Sequence, residues 1–97
     1  MTTTPDEVGV ELERVVRRWQ QLPLDRALAA SPGVRALVQE LADEVAGAQG
    51  IGPEQVPDLG PAVLPDQLLV MVHDYREAGL DGARLAERVT ALRRSLP

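Results

Sequence analysis

The run Leu68-Leu69-Val70-Met71-Val72 is the most apolar stretch of the chain and constrains its fold more than any other. Rigid punctuation surrounds it, with Pro57, Gly60, Pro61 and Pro65 before it and Gly79 after it. Leu64, Leu68, Met71, Val72 and Tyr75 recur at helical spacing on one face, with Leu69 beside them. A helix over 65–78 that is apolar on several sides needs neighbours on several sides, so the pattern predicts a central helix. Once one face is filled, Val70 and Leu69 are left over. They either complete the core or meet a second copy of the chain, two-fold dimers being the commonest oligomers.

Start and stop signals divide the rest. Thr4 precedes Pro5, Asp6 and Glu7, which predicts a helix over 5–22 with Thr4 as its cap and a Thr4/Glu7 capping box. Residues 1–4 are expected to fray. Val8, Leu12, Val15, Val16 and Trp19 form its apolar stripe, and Gly9 weakens it by about 1 kcal/mol against Ala. Pro23 stops it. A short helical turn is read at 24–30, with Leu24, Ala27 and Leu28 inward. Ser31-Pro32 reads as a new start, giving a helix over 32–48 with Val34, Leu37, Val38, Leu41, Val45 and Ala48 in one stripe.

Residues 50–64 have no helical pattern. Pro53, Pro57 and Pro61 recur within them, and each internal Pro would remove a helical donor, so a Pro/Gly-rich loop of short turns is predicted. Ile51, Val56 and Leu59 are expected to hold it on the bundle. Gly79 then closes the central helix and Asp81 caps a last helix over 82–95, whose inward residues are Leu85, Val89 and Leu92. So short a connection predicts an antiparallel hairpin of the last two helices. No run alternates with period two. The expected fold is all-α, one small bundle of four main helices forming a single domain over 1–97.

Composition bounds the function. The chain has 97 residues, and one of this size buries roughly two-thirds of its unfolded surface. It has no Cys, which excludes disulfides and thiolate metal sites. Ten Arg oppose fifteen acids for a net charge of −5, so phosphate-directed nucleic-acid binding is not expected. The acidic start without an apolar stretch predicts a cytoplasmic protein, and no run is long enough for a membrane span. The absence of Lys, Asn and Phe points to a GC-rich bacterial genome.

Candidate chemistry is sparse. His73 is the only His, and adjacent helical residues point apart, so His73 and Asp74 make no ready acid–base pair. One His without Cys leaves no basis for a metal centre, and no phosphate loop or dinucleotide motif is present, so no cofactor is expected. Asp66-Gln67-Leu68 is similar to the Asp-Ser-Leu of acyl carrier proteins, but Gln67 stands where the Ser that takes phosphopantetheine would be. The first helix carries Arg14, Arg17 and Arg18, yet lacks the motif of the all-α chorismate mutases. The expected function is a small non-catalytic accessory or regulatory protein that binds another protein, with a homodimer as one form. The alternative is a ligand-binding or enzymatic bundle with a pocket near His73 and Tyr75. Candidate interaction or pocket residues are His73, Tyr75, Arg76, Arg84 and Trp19.

Overall fold

Asp6 starts the first helix by accepting a hydrogen bond from the Gly9 amide at 3.0 Å. The missing Cβ at Gly9 makes room for this cap, because a Cβ there would stand 2.5 Å from an Asp6 carboxylate oxygen. The computed structural model describes residues 6–97. They form α1 (Glu7–Gln21), α2 (Leu24–Ala48), α3 (Leu64–Glu77) and α4 (Gly82–Ser95), with no strand among the described residues. The fold is all-α, as the sequence predicts. The cap expected from Thr4 lies outside the described residues.

α2 departs from the expected division. The helical turn at 24–30 and the helix from 32 are one 25-residue helix, with Pro32 inside it. Its buried residues Ala27, Ser31, Val34, Val38, Leu41 and Val45 form an unbroken stripe on both sides of the proline. Packing along that stripe outweighs the missing amide. Leu24 and Leu28 lie off the stripe, at 67% and 53% exposure, and do not face inward. At the other end Ala46 is buried and Ala48 is exposed.

α2 and α3 both end by reversing through a glycine. Gly50 and Gly79 have φ of +72°, a conformation that costs other residues about 1–2 kcal/mol. The Ile51 amide then reaches back to the Ala46 carbonyl at 3.0 Å, and the Gly79 amide to that of Arg76 at 3.0 Å. Both closures satisfy carbonyls the helix leaves open. Asp81 then caps α4, its carboxylate accepting from the amides of Ala83 at 3.0 Å and Arg84 at 3.2 Å. Asp81→Ala is expected to cost about 1 kcal/mol in chemical unfolding, and Asp81→Asn far less.

The packing is paired. α1 lies mainly on α4 and α2 mainly on α3, while α1–α3 and α2–α4 meet over smaller areas. The last two helices are therefore not the side-by-side hairpin the short connection suggested. Residues 78–81 lead α4 away from α3 and onto α1. The Cα envelope measures 40 × 39 × 17 Å, and its thin dimension fits two layers of helices at their usual 8–10 Å spacing. In such a slab no helix is surrounded, which is why α3 is not central. One core joins the pairs. Val8, Leu12, Val15 and Trp19 of α1 and the α2 stripe meet Leu64, Leu68, Val72 and Tyr75 of α3 and Leu85, Val89 and Leu92 of α4.

Residues 49–63 link α2 to α3 without regular structure apart from turns at 49–50 and 61–63. Polar side chains of the helices hold them down. The Gln39 amide oxygen accepts from the Val56 amide at 2.8 Å, and its nitrogen donates to the Glu54 carbonyl at 3.0 Å. Gln67 donates to the Pro57 carbonyl at 3.0 Å, and Arg35 pairs with Asp58. Val56 packs against the core as expected. Ile51 and Leu59 do not, at 59% and 58% exposure, because backbone and side-chain hydrogen bonds anchor the loop where they were expected to.

Candidate functional site

The five residues singled out from sequence take up separate positions. Trp19 is buried at the end of α1, and its indole N–H donates to the Pro61 carbonyl at 2.9 Å, tying the loop to α1. Tyr75 is 2% exposed, within the core. His73 is exposed. Two residues apart, His73 and Tyr75 lie roughly 200° apart round the helix and so face opposite ways. Arg76 pairs with Asp6 of the α1 cap, and Arg84 with Glu44 of α2 at 3.5 Å. These side chains do not converge on one space. Among the described residues no three His, Asp or Glu side chains gather closely enough to hold a metal ion.

The arginines hold the protein's own carboxylates. Arg88 of α4 reaches Glu40 at 2.9 Å and also Glu44, both on α2. Burial opposes its charge, yet the two carboxylates raise its pKa. Arg93 of α4 pairs with Glu11 of α1. The hydrogen bond from Arg93 holds the Glu11 carboxyl below its ordinary value. Arg76, helped by the Gly9 amide, does the same for Asp6, and the Gly60 amide with Arg35 does so for Asp58.

A pH dependence follows. A carboxyl with a depressed folded pKa binds its proton more readily when unfolded, so its contribution is complete above the unfolded value, near 4. It is lost as pH falls through the folded value. The urea midpoint is therefore expected to hold steady from neutrality to about pH 5 and to fall below that. Glu11→Gln should make the acid fall shallower. An acid limb identical to that of the unaltered chain would deny the Glu11 pair its part.

The surface feature of most consequence is on α3. Leu69 is 41% exposed and Val70 54% exposed, on the side turned from the core. They stand on a ridge between two apolar depressions. On the α1 side, Leu69 meets Gly9, Leu12, Glu13, Val16, Arg17 and Gln20 round a depression of about 500 Å³. On the loop side, Val70 meets Met71, Val56, Asp66 and Gln67 round one of about 200 Å³. Along α3, Asp66 stands one turn before Leu69 and Val70, at the edge of the loop-side depression, and His73, Asp74 and Glu77 stand one to two turns after them. None of Asp66, Asp74 and Glu77 has a cationic partner within 4.0 Å among the described residues.

The surplus of Leu69 and Val70 was legible in the run itself. The share of α1 in the band was not, because it depends on which helix packs beside α3. Among the described residues no helix is long and apolar enough to cross a membrane. Compared with known proteins, the chain matches no family model, no curated protein and no solved structure.

Proposed function

We propose that this chain is a small, cytoplasmic, non-catalytic accessory or regulatory protein that works by binding another protein. One observation carries the reading: the most apolar run of the sequence leaves Leu69 and Val70 in solvent above a filled core. Leu64, Leu68, Val72 and Tyr75 already supply the inward face of α3. The outward pair adds nothing to that core, and an apolar surface rimmed by polar groups suits a partner. Among the described residues no buried side-chain nitrogen or oxygen lacks a hydrogen-bond partner.

The test is capture of partners by the tagged chain from its own host at moderate salt, read by mass spectrometry. A stoichiometric partner is expected. Recovery of the chain alone, from extracts in which it is known to act, would remove the reading.

A further inference from the structure

We infer that the apolar band across α3 seats a basic amphipathic helix of a partner protein, an inference that rests on the protein-binding reading above. The chemistry of the band specifies the occupant. Its floor is apolar on both sides of the ridge, from Leu12 and Val16 through Leu69 and Val70 to Met71 and Val56. Its rim is acidic. Asp66, Asp74, Glu77 and Glu13 are four carboxylates, against which stand Arg17, already paired with Glu13 at 2.9 Å, and Arg76, already paired with Asp6. A complementary surface therefore has apolar side chains along its middle and Arg or Lys at its edges.

The same charges argue against a second copy. Two copies joined through this face would set the three unpaired carboxylates of one, Asp66, Asp74 and Glu77, against those of the other, with Arg17 and Arg76 each engaged on its own chain. Opposed like charges suppress such pairing. The backbone decides the form of the partner. Both α1 and α3 use their mid-helix amides and carbonyls internally, so the groove offers an incoming chain no backbone partners. A segment laid there must satisfy its own backbone, which a helix does. Gly9, Leu12, Val16 and Gln20 line the α1 side over about 17 Å, room for roughly three helical turns laid along α1 against Leu69.

The probe is a dye-labelled designed peptide with Leu at i, i+3, i+4 and i+7 and Arg on both flanks. Its controls are the same residues in scrambled order and a version with Glu for Arg. Anisotropy titrations against the whole chain are expected to favour the patterned Arg peptide by about tenfold or more over either control. The double variant Leu69→Ser/Val70→Ser should abolish that preference. The triple variant Asp66→Asn/Asp74→Asn/Glu77→Gln should weaken binding severalfold and flatten its salt dependence. Four of these positions are exposed and Asp74 is half-buried, so helical circular dichroism should confirm that both variants fold.

Equal binding of the scrambled peptide, or indifference to the double variant, would overturn the inference. So would sedimentation showing a dimer that the double variant dissolves, since the face would then belong to a second copy. Partner capture separates the two levels of the argument. A partner still captured by the double variant removes this surface and leaves the protein-binding reading standing. No partner for the unaltered chain removes that reading itself.

Discussion

Leu68→Ala is expected to remove about 2–5 kcal/mol of folding stability, while Leu69→Ala, one peptide bond away, removes less than about 1 kcal/mol. The residues are chemically identical, and only their side of α3 differs. Leu68 is fully buried and Leu69 is 41% exposed. Truncating Leu68 loses the transfer free energy of its side chain and leaves a cavity among Leu64, Val72 and the α2 stripe. A domain of this size has about 5–15 kcal/mol in total, so the loss is a large share. The melting temperature should fall by roughly 10 °C or more, since each kcal/mol is worth about 4–8 °C here. Urea unfolding followed by helical circular dichroism measures both variants. The pattern should invert in a binding assay, where Leu69→Ala is expected to weaken the partner and leave the fold intact. Equal destabilisation by both substitutions would mean that α3 is covered on both sides, and the two-layer arrangement would fail.

The contrast marks where sequence reasoning reaches and where it stops. The stripes of α1 and α4 were legible because each has a clean helical period, and Asp81 marks the start of α4. α3 was legible as a helix, and its surplus of apolar residues was visible. The number of neighbours that α3 would have was not, because that depends on the whole arrangement. A slab two helices deep gives each helix one core side, and the extra apolar residues then remain outside. Pairs such as Arg93–Glu11 and Arg88–Glu40 join residues far apart in the chain, so no local spacing announces them. The same holds for Gln39, Gln67 and Trp19, which anchor the loop through its backbone rather than through its apolar side chains.

Pro32→Ala is expected to stabilise the protein by about 1–3 kcal/mol, against the usual direction of a single substitution. Pro32 lies eight residues into α2, well past the first turn in which a proline is tolerated. There it removes the amide that would donate to the Leu28 carbonyl, and its ring crowds the preceding turn. An interior proline costs about 3 kcal/mol relative to Ala. Its stiffening of the unfolded chain offsets roughly 0.4–1 kcal/mol of that, so the balance favours Ala. Pro32 is exposed, so no core contact is lost by replacing it. Its neighbours explain why the helix continues regardless. Ser31 is 3% exposed, and its hydroxyl donates to the Ala27 carbonyl at 2.7 Å. Ala27, Ser31, Val34, Val38, Leu41 and Val45 recur in steps of four, three, four, three and four, a phase that runs through the proline unbroken. That phase was present in the sequence, and the start signal of Ser31-Pro32 obscured it. A gain in the urea midpoint would establish that α2 is one continuous helix maintained by its buried stripe against a local penalty. A loss would mean that Pro32 sits at a true helix start, with 24–30 and 32–48 separate in solution.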